Sequence, residues 1–170
     1  MHVRIVAATF ALAALVACAA KPAPMAPDSS QARAVIAPQR AGDNVQISKE
    51  VEAKCGIPSE HDAPRFDFDS ARLVAERSSA LDALARCLSA GALKSHSIQL
   101  VGRADPRGDT EYNIALGAYR AESVAEYLRS HGVTATQISV TSRGDLDAVG
   151  YDEDTWAVDR RVDVKLPPES

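Results

Sequence analysis

The residues of this sequence best suited to chemistry lie around one polar turn, at residues 103–108. Asp105 places a carboxylate in this turn, and Arg120 lies in the predicted helix that follows. On a helical wheel Arg120 falls in the buried stripe between Leu116 and Val124, four residues from each. A guanidinium in that position needs a partner or an open pocket, because an unpaired buried charge is costly.

The surroundings of the turn suit a ligand that carries charges of both signs. The start of the following helix supplies unpaired amide groups and a positive partial charge, which attract an anion. Together with Asp105 and Arg120, these groups fit a zwitterion that bears an ammonium and a carboxylate. Alternatively, Asp105 and Arg120 pair only with each other as a structural ion pair, and the residues by themselves leave both interpretations open. Arg161, just before the last predicted strand, is a second arginine that needs a partner.

The sequence predicts neither catalysis nor metal binding. It contains no HExxH, GxSxG or Walker sequence, and Cys55 and Cys87 are far along the chain from a histidine that could activate them. Asp67 and Asp69 lack the glycine and the distal glutamate of a calcium loop. We therefore expect no enzymatic activity, no metal and no cofactor.

Length and composition set the class of protein. The chain has 170 residues, a net charge of -4 and 5% aromatic residues. That length predicts one domain with some additional chain. The acidic balance excludes a basic surface for nucleic acid, and the low aromatic content excludes an extensive stacking platform.

The predicted elements place the turn between a strand and a helix. Alternating polarity or helical periodicity and flanking caps predict strands at 65–69, 97–102, 138–142 and 161–166, with helices at 71–88 and from 109 or 110 to 131 and a short helical turn at 152–156. This order predicts an α+β fold, with helices packed on one mixed four-stranded sheet.

The N-terminal part predicts a secreted, anchored protein. Residues 1–17 have the short basic and apolar regions of a signal peptide, and Leu15-Val16-Ala17-Cys18 resembles the bacterial lipobox, in which Cys18 is acylated. The alternative is a plain signal peptide cut at an Ala-x-Ala-like site. Residues 18–54 form a linker rich in proline and alanine, within which 45–54 is either a short helix or an extended lead-in. The folded domain is expected at 55–170.

The remaining cysteines predict a disulfide. With Cys18 acylated, Cys55 and Cys87 are the two left in an oxidising compartment. A helix running back along the first predicted strand brings Cys87 near the start of that strand, where Cys55 lies. The alternative is two small buried cysteines.

Blocks in this chain resemble the OmpA-like peptidoglycan-binding domain, which occurs in peptidoglycan-associated lipoproteins. They keep their order and spacing from about residue 64 to residue 166. They include Phe66-Asp67-Phe68-Asp69, Gly102-Arg103-Ala104-Asp105, Arg120-Ala121, Ser142-Arg143-Gly144 and Asp159-Arg160-Arg161-Val162, and their common order is more specific than any single block. The resemblance implies the OmpA-like βαβαβ(α)β two-layer sandwich.

The resemblance also implies a ligand, the diaminopimelate of the cell-wall peptide stem. Asp105 matches the aspartate that takes its ammonium, and Arg120 matches the arginine that takes its carboxylate. Asn113 and Arg161 are implied to line or support the site. Arg103 stands where the family usually has histidine or tyrosine, and it adds a positive charge near the ammonium subsite.

The function implied is that of a non-enzymatic tether between the outer membrane and the cell wall. Acylated Cys18 would hold the protein in the outer membrane, with the domain in the periplasm, and peptidoglycan would be its partner. Tol-type envelope proteins enter as candidate partners, and nucleic acid does not. The alternative is a protein-interaction module of the same fold that contacts another envelope protein and no cell wall.

Overall fold

A single four-stranded sheet with helices beside it forms the frame of the structure, which confirms the predicted α+β class. The computed structural model describes residues 45–59, 66–74 and 78–168, and all of these belong to one unit of the chain, Pro38–Ser170. The strands are β1 (Val45–Ile47), β2 (Ile98–Arg103), β3 (Ile138–Gly144) and β4 (Val162–Lys165). The helices are α1 (Lys49–Cys55), α2 (Ser79–Ser89), α3 (Thr110–Ser130) and α4 (Glu153–Asp159).

The sheet is mixed and has the strand order β1-β4-β2-β3. β1 runs parallel to β4 and β2 runs parallel to β3, whereas the central pair β2 and β4 is antiparallel. Successive side chains of a strand point to opposite faces. In β4, Val162 and Val164 are therefore buried in the core, while Asp163 and Lys165 lie on the other face. The sheet is thus apolar on the face that the helices cover.

The helix α2 begins later than the sequence pattern predicts. We expected a helix over residues 71–88, but its cap is Ser78, whose hydroxyl accepts a hydrogen bond from the amide of Leu81 at 3.2 Å. Leu81, Leu84 and Leu88 are fully buried, so the apolar stripe is confirmed from this point onward. Residues 71–74 are not helical.

The first predicted strand is wrong. Residues 66–70 form a turn and an extended segment outside the sheet, although Phe66 and Phe68 alternate with aspartates. Their carbonyl groups accept hydrogen bonds from arginine side chains, described below, and are not paired with a strand. An alternating pattern indicates which side chains can be buried. It does not decide whether the backbone carbonyl groups accept hydrogen bonds from a neighbouring strand or from side chains.

β1 takes the place in the sheet that this segment leaves. Val45 and Ile47 are buried and pair in register with Val162 and Val164 of β4. The segment 45–54 is therefore both extended and helical, since α1 follows β1 directly. The fold begins ahead of Cys55, where we expected the domain to start.

The disulfide between Cys55 and Cys87 is confirmed, with a Cα–Cα distance of 5.5 Å. It joins the last residue of α1 to α2. Two neighbouring helices therefore bring the cysteines together, and not a helix packed along a strand as the sequence argument assumed. The covalent link closes a loop that contains residues 66–70 and 71–74.

Candidate functional site

The close contact between β2 and α3 positions the site. A Cβ atom on Gly102 of β2 would meet the carbonyl oxygen of Gly117 of α3 at 1.7 Å, so only glycine fits there. One on Gly117 would meet the hydroxyl of Ser142 at 2.4 Å. This close approach fixes α3 against the end of β2, and with it the relation between Arg120 on the helix and Asp105 just after the strand.

Arg120 is completely buried and is held by backbone carbonyl groups. Its guanidinium donates to the carbonyl of Ser70 through Nε at 2.8 Å, to that of Arg103 through Nη1 at 2.9 Å and to that of Asp67 through Nη2 at 3.2 Å. Burial, with the nearby charge of Arg160, lowers the pKa of Arg120 to about 10. The side chain is therefore a buried cation at neutral pH that fastens the segment 66–70 to the β2–α3 turn.

Asp105 is 5% exposed, and two arginines engage its carboxylate. Arg107 makes a two-pronged contact, with Nε at 3.0 Å from one oxygen and Nη2 at 2.8 Å from the other. Arg160 donates to the second oxygen at 3.2 Å, and the amide of Arg107 donates to the first at 3.2 Å. Burial by itself raises the pKa of Asp105, but the hydrogen bonds and charge of Arg107, with the bond from Arg160, outweigh it and hold that pKa below its ordinary value.

Glu153, at the start of α4, completes the group of charges around Asp105. It accepts from Arg107 at 3.1 Å and from Arg160 at 2.9 Å. We call Asp105, Arg107, Glu153 and Arg160 the turn cluster. The guanidinium of Arg107 also lies between two aromatic rings, 3.9 Å from the centre of Phe68 and 4.2 Å from the centre of Trp156.

The predicted pair Asp105 and Arg120 lies in one region of the molecule but is not an ion pair. In the part of the chain that the structure describes, no hydrogen bond or ion pair joins the two side chains directly. Arg120 donates to the carbonyl of Arg103, two residues before Asp105, and the charge of Asp105 acts on the pKa of Arg120. The two charges therefore interact electrostatically, but each side chain has its own hydrogen-bond partners.

Arg161, which we expected to support the site, does not contact Asp105, and its neighbour Arg160 does. The Nε atom of Arg161 donates to Asp163 at 2.9 Å on the face of the sheet opposite α3. Arg160 is fully buried and also donates to the carbonyl of Phe66 at 3.3 Å. Arg161 comes two residues before Asp163 and lies beside it, whereas Arg160, the residue that follows α4, is turned inward.

Arg103 also points away from the ammonium subsite where we expected its charge. Its Nε atom donates to Asp163 at 2.9 Å, and its Nη1 atom contacts Asp147. We call Arg103, Arg143, Asp147, Arg161 and Asp163 the sheet-face cluster. The backbone carbonyl of Arg103, and not its guanidinium, is the part of the residue that reaches the site.

Asn113 supports the turn from the first part of α3. It is 2% exposed, and its amide donates to the carbonyl of Arg107 at 3.1 Å. This bond holds the turn over the start of the helix. Gly108, with a φ of 91°, lets the chain leave the turn in a conformation that other residues rarely adopt.

Sequence reasoning missed three contributors: Arg107, Arg160 and Glu153. Arg160 was within reach, since the alternation of Val162 and Val164 already indicates which arginine of the pair faces the core. Glu153 is 48 positions beyond Asp105 along the chain (153 − 105), and no local pattern links the two. Only the tertiary contact through Arg107 and Arg160 reveals its part.

Two further features bear on function. Among the described residues, no helix combines the length and apolar character needed to cross a membrane. Within the same residues, no group of three or more histidine, cysteine or acidic side chains is arranged to hold a metal ion. Cys18 lies outside the described residues.

Comparison with known proteins agrees with the resemblance seen in the sequence. Residues 65–162 match the OmpA family. The chain is 40% identical over 102 residues to the peptidoglycan-associated lipoprotein of Pseudomonas putida, covering 59% of this chain and 60% of that protein. It is 35% identical over 114 residues to outer membrane protein A of Serratia marcescens, covering 59% of this chain and 32% of that protein.

A solved structure supports the same assignment. The crystal structure of the peptidoglycan-associated lipoprotein from Burkholderia pseudomallei aligns with a TM-score of 0.57 at 36% identity, covering 61% of this chain and 88% of that one. The match to the Pseudomonas putida relative spans 60% of its length, so it concerns the domain and not the whole protein. Since the family match extends over more than half of the residues and includes both Asp105 and Arg120, the chain belongs to the OmpA family.

Proposed function

We propose that this protein binds peptidoglycan non-covalently through its OmpA-family domain and tethers the outer membrane to the cell wall. The names of its relatives support peptidoglycan association and a place in the envelope. The observation that carries the proposal is the arrangement at the β2–α3 turn, where a buried carboxylate at Asp105 lies near the buried cation of Arg120. No enzymatic step is part of this function.

The ligand proposed for this site is the diaminopimelate of the peptide stem. Its side-chain end carries an ammonium and a carboxylate on one carbon, so it presents both charges within a few bonds. Asp105 would accept hydrogen bonds from the ammonium, and Arg120 would donate to the carboxylate. The Nη1 and Nη2 atoms of Arg120 each donate one hydrogen to a backbone carbonyl. Each of them carries a second hydrogen, which can be donated to the ligand carboxylate.

Asp105→Asn tests this assignment, because it keeps the shape of the side chain and removes its charge. A charge-assisted hydrogen bond contributes about 1.5–3 kcal/mol, so binding should weaken by about ten- to a hundredfold. The measurement is co-sedimentation of the full chain, in mild detergent, with sacculi that contain diaminopimelate. The matched control is Asp163→Asn, which removes a carboxylate from the sheet-face cluster, where two arginines also engage it.

The outcomes separate the two functions open from the sequence. Loss of sedimentation in Asp105→Asn but not in Asp163→Asn supports the site. Equal sedimentation of folded Asp105→Asn and wild type contradicts the ligand assignment. If wild type itself stays in solution at moderate salt, the protein-interaction module is the better account.

The membrane end of the tether is proposed to be an acylated Cys18, with residues 1–17 removed as a signal peptide and residues 18–44 as linker. Mass spectrometry of the N-terminal peptide should find a lipid-modified cysteine, and Cys18→Ser should remain unprocessed or enter the soluble periplasm. An unmodified N-terminus at Ala19 would contradict the anchor. Since β1 belongs to the sheet, the domain proposed at 55–170 is extended to begin by Val45.

A further inference from the structure

We propose that Arg107 occupies the ammonium position of the site and that ligand binding exchanges its guanidinium for the ligand cation. The inference rests on the proposed function and adds a residue that sets the affinity of the site. Each oxygen of Asp105 already accepts two hydrogen bonds: one oxygen from the Nε and the backbone amide of Arg107, and the other from the Nη2 of Arg107 and from Arg160. An incoming ammonium therefore cannot reach this carboxylate by simple addition; one of the two arginines must give up its place.

Arg107 is the arginine that can leave. Its side chain is 29% exposed, whereas that of Arg160 is 0% exposed and is also bonded to the carbonyl of Phe66. Removing Arg160 from Asp105 would leave a guanidinium buried with fewer partners, which is costly. Arg107 is already partly exposed, so moving its side chain outward leaves no buried cation without a partner.

Glu153 gives the displaced guanidinium a second partner. Arg107 donates to Glu153 through Nη1, the guanidinium nitrogen that does not bond to Asp105. The side chain of Glu153 is 44% exposed, so this contact lies toward solvent. A movement of Arg107 away from Asp105 can therefore keep one ion pair while giving up the other.

The exchange also keeps the charge of the site balanced. Asp105 has a cationic partner before and after binding, first the guanidinium and then the ammonium, so the buried carboxylate is never left with Arg160 alone. The guanidinium of Arg107 lies over the aromatic rings of Phe68 and Trp156 while it is bound to Asp105. These contacts favour the state without ligand. The resident cation thus stabilises the empty site at the expense of affinity.

When an internal group competes for the site, the apparent affinity is the intrinsic affinity multiplied by the fraction of molecules in which the site is free. Arg107→Gln removes the competing charge, keeps a polar side chain and leaves Arg160 on Asp105. We expect it to bind a soluble diaminopimelate-containing muropeptide about tenfold more tightly than wild type does, measured by isothermal titration calorimetry on the full chain. The matched control is Arg143→Gln, which removes an arginine from an ion pair with Asp147 in the sheet-face cluster and should leave the Kd unchanged.

A second measurement keeps the inference testable if Arg107→Gln folds poorly. In wild type labelled with 15N-arginine, the Nε–H of Arg107 is hydrogen-bonded to Asp105 and should give a protected NMR signal. Adding the muropeptide should shift this signal and speed its exchange with water, while the Nε–H of Arg161 is unaffected.

Two outcomes overturn the inference. If Arg107→Gln binds more weakly than wild type, or equally, or if the Nε–H signal of Arg107 stays in place at saturating ligand, then Arg107 is not displaced. When wild type binds and Asp105→Asn does not, such a result removes the exchange alone and leaves the proposed function standing. If wild type fails to bind the muropeptide, or Asp105→Asn binds as well as wild type, the proposed site fails and the exchange fails with it.

Discussion

The turn cluster and the sheet-face cluster contain the same chemical groups in different surroundings. Each joins arginines to carboxylates by two-pronged or bridging contacts of about the same length. The turn cluster contains the fully buried side chain of Arg160 and the nearly buried side chain of Asp105, whereas every side chain of the sheet-face cluster is at least 13% exposed. The comparison teaches that arginine and aspartate content does not distinguish the two clusters, whereas the burial of Asp105 and Arg160 does.

Adjacent arginines give the sharpest contrast between the clusters. Arg160→Met removes the buried cationic partner of Asp105, so we expect a loss of about 3–5 kcal/mol in the free energy of unfolding. Arg161→Met removes contacts that are more accessible to water, and we expect a loss of about 1 kcal/mol or less. Urea denaturation of both variants measures the difference. Similar losses in the two would show that burial does not separate the clusters.

The disulfide bears on the segment 66–70, whose carbonyl groups hold Arg120 and also Arg160 of the turn cluster, and not on the sheet-face cluster. The loop that it closes contains Asp67 and Ser70, whose carbonyls hold Arg120. Replacing both cysteines by serine should lower the free energy of unfolding by about 3–4 kcal/mol in the chain-entropy model. It should also speed exchange of the Nε–H of Arg120 more than that of Arg161.

The check on this prediction is wild type treated with reductant, which should reproduce both effects of the serine variants. A fall in overall stability with no difference between the two arginine signals would show that the disulfide does not support the contacts of Arg120.

Acid titration tests the smallest expected effect. Because the pKa of Asp105 is lower in the folded protein than its ordinary value near 3.8, its stabilisation is fully present above that value and is lost as pH falls through the folded pKa. The difference in unfolding free energy between wild type and Asp105→Asn should therefore shrink on going from about pH 5 to about pH 2. Urea denaturation at several pH values measures it. A difference that stays constant over this range would mean that the carboxylate is not held by charge.

The sequence pattern was most informative where one side of an element is buried along its whole length. The apolar stripe of α2, the alternation of β4 and the long helix α3 with Arg120 in its buried face were all predicted from spacing. Their physical cause is local, since periodicity alone decides which side chains can leave water together. The pairing of Cys55 with Cys87 was also predicted, although through a different geometry.

Prediction failed where the backbone partners come from distant parts of the chain. Residues 66–70 alternate in polarity like a strand, but their carbonyl groups accept hydrogen bonds from Arg120 and Arg160. The strand beside β4 is instead β1, which comes from earlier in the chain. Val45 and Ile47 are only two alternating apolar residues, which is too short a pattern to predict a strand. Which segment enters the sheet is decided by what else can satisfy the backbone.

The sequence by itself determined the family, the α+β class and the placing of Asp105 in the turn before the helix that carries Arg120, because these depend on residue types at fixed local spacing. Only the tertiary structure decided how the charges are paired. Arg107, Arg160 and Glu153 surround Asp105, and backbone carbonyls surround Arg120, because folding brings α4, β4 and the segment 66–70 to the same end of the sheet. The strength of a charge depends on its burial and its neighbours, and those are properties of the packed molecule that no spacing along the chain contains.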